Sequence, residues 1–393
     1  VVVVEHNEQI IRAAQHLVEL GPGAGTLGGK VVFTGKPEEL AKRKPYESKT
    51  GEMLNSEFSI PQNSLSSEKQ SSIHFNIHIC KYHNIIDQTF RFSRGSLNVI
   101  TGVSGAGKST LVNHGLLNSD AFKHVIFVDQ KPIGRTSRSN PATYTGLFDE
   151  LRKLFAQTND AKKLGLNASY FSFNSKQGQC ESCLGTGVLK IGMHIFEDIV
   201  QPCPVCNGSR YKNEILSVKL NGKNIHEVQQ LSVNEAILFF ESSPKIRPYL
   251  KAMQKLGLGY LHLGQSSTTL SGGEAQRIKL ATSLHKQPAG KALYILDEPT
   301  TGLHAADVGL LIEALHEFTK AGHTVVVVEH DAQIINQADW IVDLCPEGGD
   351  AGGKCLFCGT IDDFYKNHKS PTTEALRRSE KAEKSEITVN KPS

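Results

Sequence analysis

Residues 101–110, Thr101-Gly-Val-Ser-Gly-Ala-Gly-Lys-Ser-Thr110, carry the strongest chemical signal in the chain. From Gly102 to Ser109 they spell G-x-x-x-x-G-K-S directly after the apolar run Leu97-Asn-Val-Ile100. Glycines at 102, 105 and 107 let backbone N–H groups around Ser104 converge on phosphate oxygens, in conformations that a Cβ obstructs. Lys108 supplies a point charge to the β/γ-phosphates, and Ser109, with Thr110 beside it, offers a hydroxyl to Mg²⁺. The helix expected to start here adds its positive N-terminal end.

Four further groups follow in an order that suits the same chemistry. His124-Val-Ile-Phe-Val reads as a buried strand ending in the polar pair Asp129-Gln130. Leu270-Ser-Gly-Gly-Glu-Ala-Gln-Arg277 opens a helix with Ser271 at the cap, and Gly272 and Gly273 leave room for phosphate at its free N–H groups. Leu293-Tyr-Ile-Leu runs into Asp297 and Glu298; the first can hold Mg²⁺ through water and the second can polarise an attacking water. Val325-Val-Val-Val-Glu ends in His330, an imidazole placed for a γ-phosphate contact.

Cys180-Glu-Ser-Cys183 and Cys203-Pro-Val-Cys206 have the C-x₂-C-x₁₉-C-x₂-C spacing of a structural Zn²⁺ site, in which two knuckles present four thiolates. His194, between them, reads as a strand residue because the thiolates already fill the site. Cys355-Leu-Phe-Cys358 and Cys345 read as packing thiols, since an internal repeat places Val31, Thr34 and Gly21 at the matching positions.

The elements that must position these groups form a strand–helix alternation interrupted by the cysteine module. That pattern predicts an α/β fold with an insertion. The repeat relates Val1-Val-Val-Val-Glu-His6 to Val325-Val-Val-Val-Glu-His330 and continues through Gly28-Gly-Lys30 and Gly352-Gly-Lys354. Nineteen of forty aligned positions are identical. A repeat of this strength points to a duplicated protein of which this is a C-terminal portion. Residues 1–40 are then the tail of a preceding cassette. Residues 41–72 are a polar linker, 73–140 the first part of a core, and 141–265 an inserted helical subdomain with its zinc module at 180–206. Residues 266–368 complete the core, and 369–393 are a mobile tail. Ile73-His-Phe-Asn-Ile-His-Ile alternates as a strand, and Gly146–Phe155 has helical periodicity. Lys131-Pro-Ile-Gly-Arg135-Thr-Ser-Arg138-Ser-Asn140 can hold phosphates through Arg135 and Arg138, or can pair its arginines internally. A net charge of +3 over 393 residues permits nucleic acid without arguing for it. No apolar run approaches the ~20 residues of a membrane span, and paired cysteines that read as metal ligands suit the reducing cytoplasm.

These motifs resemble those of an ATP-binding-cassette ATPase. Gly102–Ser109 matches Walker A, Gln130 the Q-loop and Leu270–Glu274 the signature. Asp297 matches the Walker B aspartate, Glu298 the catalytic glutamate and His330 the switch histidine. Pro132–Thr136, Arg138–Tyr144, Leu261–Gln265, Thr269–Arg277, Asp297–His304 and the interposed zinc module further resemble the UvrA family of bacterial nucleotide excision repair. The resemblance runs over residues 73–365 and the repeat tail. It implies a P-loop cassette with an inserted signature and zinc subdomain, using ATP, Mg²⁺ and Zn²⁺. It also implies damaged duplex DNA as partner, composite ATP sites shared between cassettes or between the copies of a homodimer, and a UvrB-like partner for the full protein. The chain departs from the family in the short Asn113–His124 segment and at Ala106, Lys131 and Ser137. A drug-resistance paralogue, or an ATPase driving a non-DNA partner such as a transporter, therefore stands as the alternative. The zinc insertion and the arginine loop favour DNA.

Overall fold

The computed structural model describes residues 1–5, 8–22, 28–43, 48–55, 73–192, 199–286, 288–344 and 347–377. Its strands are β1 (Leu17–Gly21), β2 (Lys30–Gly35), β3 (His74–Tyr82), β4 (Ile85–Ser93), β5 (Leu97–Gly102), β6 (Val125–Val128), β7 (Val188–Ile191), β8 (Ile199–Pro202), β9 (Leu293–Asp297), β10 (Thr324–Val328), β11 (Trp340–Leu344) and β12 (Cys355–Thr360). The chain divides into two compact units, Val1–Asp129 with Gln287–Ser393, and Gln130–Lys286.

The first unit is built on a six-stranded sheet in the order β12-β11-β5-β10-β9-β6. All neighbours are parallel except β11 and β12. Strands buried on both faces need no polar alternation, so β5 and β10 are buried along their whole length. Asn98 is a buried polar residue of β5. Its Oδ1 accepts from Ser93 N (2.8 Å) and its Nδ2 donates to Val325 O (3.2 Å), tying β4 to the sheet. Parallel register brings the C-terminal ends of β5, β9, β10 and β11 to one edge of the sheet, where open α/β sheets bind ligands. The β3–β4 hairpin alternates as expected and packs Phe75, Ile77 and Ile79 into the main core.

The repeat is visible in the register. β1 pairs with β2 through Leu17↔Gly35, Glu19↔Phe33 and Leu20↔Val31; β11 pairs with β12 through Ile341↔Gly359, Asp343↔Phe357 and Leu344↔Cys355. A shift of 324 residues superposes one set of pairs on the other, bulge included.

Two segments are more ordered than their composition suggests. Within the stretch read as a polar linker, Lys49–Leu54 is a helix capped by Ser48, whose Oγ accepts from Gly51 N (2.9 Å). The helix buries Met53 and Leu54 with Ile11, Phe33 and Leu40 in a small core of its own. In the stretch read as a mobile tail, residues 371–377 are helical, Thr373 and Leu376 are buried, and Arg377 donates to Tyr365 O (2.6 Å). Residues 378–393 lie outside the described set.

The second unit takes in the loop after Gln130 and the signature helix, which a division at 140 and 265 assigned to the core. The physical reason lies at Ser267. Its Oγ donates to Gly134 O (3.0 Å) and Thr136 O (3.1 Å), and its N–H donates to Ser139 O (2.8 Å), so the loop and the run-in to the signature are one body. The expected helix appears at Leu147–Ala156, with Leu147, Phe148, Leu151 and Phe155 buried.

Candidate nucleotide site and metal centre

In the first unit the phosphate loop closes on itself. Gly102, Gly105 and Gly107 have φ of +135°, +78° and +101°. A Cβ on Gly102 would lie 2.3 Å from Leu344 O, so the loop's closeness to β11 requires glycine there. Lys108 Nζ donates to Gly102 O (2.8 Å) and Val103 O (2.9 Å). Burial lowers its pKa, while Glu298, Asp297 and Asp343 oppose that shift, so one ammonium faces three carboxylates. Ser104, Gly105 and Ser109 are exposed, and the cradle opens to solvent.

A second glycine loop braces the first. Gly349 N donates to Gly105 O (3.2 Å) and Gly353 N to Ala106 O (3.0 Å). Asn84 Nδ2 bridges Gly105 O and Gly349 O, both at 3.0 Å. The repeated Gly352-Gly-Lys354 motif was visible in the sequence; its role as a brace was not.

Asp297 ends β9, and burial raises its pKa, with the neighbouring Glu298 charge adding to the shift. Glu298 turns out of the strand at φ +45°, its N–H fixed on Val328 O (2.9 Å). A left-handed glutamate is uncommon and re-aims the carboxylate away from the strand's alternation. His330 lies two residues beyond β10; desolvation by the surrounding protein, and then Lys108, lower its pKa, which favours the neutral ring.

Glu329, which motif reading passed over, organises this end of the site. Its buried carboxylate accepts from Thr300 N (2.9 Å), Thr300 Oγ1 (2.6 Å), His330 N (2.8 Å) and Asp331 N (3.1 Å). It thereby ties the turn after Glu298 to the loop carrying His330. Glu329→Ala orphans these donors, and we expect a loss of about 3 kcal/mol in the unfolding free energy of this unit, checked by urea titration. A change under about 0.5 kcal/mol would show that water replaces the carboxylate without cost.

In the second unit Ser271 caps the helix Gly272–His285. Its Oγ accepts from Glu274 N (3.2 Å), and Glu274 Oε2 accepts from Ser271 N (2.8 Å). Tyr260 OH holds the other carboxylate oxygen at 2.6 Å. Ser271 and Gly272 are exposed and Gly273 is buried. Gly272 abuts Gln130, since an added Cβ would lie 3.6 Å from Gln130 O. Arg135 is exposed. Arg138 is turned inward instead, its Nη2 donating to Leu184 O (2.6 Å), and Ser137 Oγ reaches Thr186 O (3.4 Å). The side chain read as a phosphate contact thus straps its loop to the first cysteine knuckle.

Cys180, Cys183, Cys203 and Cys206 are all buried, with their Sγ atoms within 4.8 Å of one another. The 3.7 Å between Cys183 Sγ and Cys206 Sγ fits a tetrahedron of ~2.3 Å metal–sulfur bonds, whose edge is about 3.8 Å. The four thiols therefore suit a tetrahedral metal ion. Each knuckle turns through two left-handed residues, Leu184-Gly185 and Asn207-Gly208. Gly187 N donates to Cys183 Sγ (3.3 Å). The backbone N–H of Cys206 holds the Cys203 thiol down at about 6, whereas burial pushes Cys206 up to about 12. Arg210, also missed by spacing arguments, supplies positive charge: its buried guanidinium feels Cys183 and Cys206 and lies 5.2 Å from the Phe173 ring. His194 lies outside the described residues.

Comparison with known proteins bears on all of these groups. The "ABC transporter" family model matches residues 85–301. UvrABC system protein A of Listeria monocytogenes serotype 4b (strain F2365) is 45% identical over 398 residues, 96% of this chain and 41% of the relative. The same protein of Streptococcus pyogenes serotype M1 is 45% identical over 397 residues, 96% of this chain and 42% of the relative. The crystal structure of UvrA2 from Deinococcus radiodurans superposes with a TM-score of 0.90 at 43% identity, covering 96% of this chain and 48% of that one. The chain spans less than half the length of these relatives. Among the described residues, no helix is long and apolar enough to cross a membrane.

Proposed function

The chain belongs to the ABC transporter family, in the branch of UvrABC system protein A, and from that premise we propose that it binds and hydrolyses ATP as part of a cytoplasmic DNA-damage sensor for nucleotide excision repair. Lys108 and the loop N–H groups bind the β/γ-phosphates, Glu298 polarises the attacking water, and neutral His330 contacts the γ-phosphate. Ser109 and Asp297 would hold Mg²⁺, which would neutralise phosphate charge. Gln130 matches the Q-loop glutamine of the family. Zn²⁺ held by Cys180, Cys183, Cys203 and Cys206 would shape a DNA surface that includes Arg135.

One observation carries the composite-site reading. The capped N-terminus at Ser271–Gly272 is exposed, a phosphate-binding end available to the nucleotide of a second cassette or a second copy. Head-to-tail association would then be needed for full turnover. The specific ATPase rate should rise with protein concentration and fall at least about tenfold in Ser271→Arg, with ATP affinity at Lys108 retained. A full rate that does not vary with concentration would sink the composite site. The DNA reading is tested separately, by binding to intact and lesion-bearing duplex with ATP at two salt concentrations. Lesion-preferring, salt-sensitive binding supports it. An ATP-competent sample that binds neither duplex overturns it in favour of an ATPase serving a non-DNA partner. A UvrB-like partner is proposed for the longer protein only.

A further inference from the structure

Cys355 and Cys358 are three residues apart on β12, and in a regular strand that separation sends side chains to opposite faces. Here their Sγ atoms are 2.9 Å apart. The register explains the meeting. Asp343 pairs with Phe357 and Leu344 with Cys355, so Leu356 is an extra residue bulged out of the ladder. One added residue restores the side-chain period of two and returns Cys355 to the face of Cys358. The first copy has the same bulge, with Val31 paired to Leu20 and Thr34 to Val18. The fold therefore builds a pair of facing positions in both copies, and only the second fills it with sulfur. The reading of these cysteines as packing thiols gives way to a contact between two thiols, both only partly buried.

We propose that Cys355 and Cys358 form a redox-active dithiol that closes reversibly into an intrachain disulfide by exchange with a low-molecular-weight disulfide. Cys358 is the attacking sulfur. The hydrogen bond from Cys355, together with the backbone N–H and charge of Arg91, holds its pKa below the ordinary thiol value, while the same contact and burial push Cys355 up. The Cys358 thiolate attacks one sulfur of the small disulfide; that S–S bond breaks, and one thiolate leaves and takes a proton from water. Cys355 then loses its proton and attacks Cys358 Sγ, releasing the second small thiol. Two protein thiols are oxidised and one small disulfide is reduced to two thiols.

The test treats the full chain with glutathione disulfide and reads the thiols by mass spectrometry, with exposed Cys80 as the internal control for reagent. Cys80 should gain a stable glutathione adduct. The 355–358 peptide should instead lose two hydrogens, keep no adduct and recover with dithiothreitol. Cys355→Val and Cys358→Thr insert the residues that the first copy carries, so the hairpin should fold in both. Cys355→Val should trap a mixed disulfide on Cys358, whereas Cys358→Thr should react at Cys355 at least about tenfold more slowly. The proposal is overturned if both thiols stay alkylatable while Cys80 is modified, or if the two variants trap adducts at equal rates.

Discussion

Glu298→Gln is expected to cut ATP turnover by about three orders of magnitude while leaving ATP affinity within a few-fold of the parent. The geometry explains why one atom matters so much. Glu298 has left the alternation of β9 at φ +45°, with its N–H fixed on Val328 O, so the side chain is re-aimed by backbone and not by rotamer choice. Glutamine keeps that backbone and the shape of the side chain. It removes the basic oxygen and one of three negative charges facing Lys108. Losing a negative neighbour does not weaken Lys108 as a phosphate ligand, so binding should survive. Phosphate release under saturating ATP measures the first effect, and equilibrium binding of a fluorescent ATP analogue measures the second. A variant that retained more than about a tenth of the rate would assign the base elsewhere.

This prediction rests on residues that were legible in the sequence, and their legibility has a physical cause. Phosphate cradles and strand-end carboxylates need contiguous residues in fixed order, so Gly102–Ser109 and Asp297-Glu298 are spelled out along the chain. The supporting groups were illegible because their partners are remote. Glu329 acts on Thr300 across a helix and a strand, Asn84 acts on Gly349 from 265 residues earlier in the chain, and Arg210 faces Cys183 from the other knuckle. No spacing rule connects such pairs. For Arg138 the sequence left two uses open, because a guanidinium bound to a backbone carbonyl looks in sequence like one waiting for a phosphate. The helix Lys49–Leu54 was hidden by polar neighbours, although Met53 and Leu54 had only to find Phe33 and Leu40 to make a small core. The redox pair shows the converse. The repeat was read as evidence against it, but what the repeat preserves is the bulge, and a preserved bulge is what brings Cys355 and Cys358 together.

Removing the proposed Zn²⁺ should have the largest effect on structure, because the other described ties on the cysteine module are a few hydrogen bonds such as Arg138 Nη2 to Leu184 O. Among the described residues, the four cysteines make up its buried apolar cluster, with Leu189 packed against it, so little hydrophobic core remains there without them. A structural Zn²⁺ contributes on the order of 10–16 kcal/mol of binding free energy, and in a site of this kind that is folding free energy. With the proposed ion removed, the thiols beside the Arg210 guanidinium would take up protons, and the negative charge that it would balance in the metal-bound state would be lost. Chelation should therefore abolish hydrogen-exchange protection at Cys180 N, which donates to Arg210 O, and at Cys203 N, which donates to Gly187 O. It should open residues 180–206 to protease, and Cys203→Ser should act in the same direction. ATP binding at Lys108 should persist, since none of its contacts involve this module. Loss of ATP binding together with the module would mean that chelation unfolds the whole chain, and the test would move to Cys203→Ser at neutral pH. Protection that survives complete removal of the metal would show that the knuckles hold their own shape, and the zinc reading would then lose its structural argument.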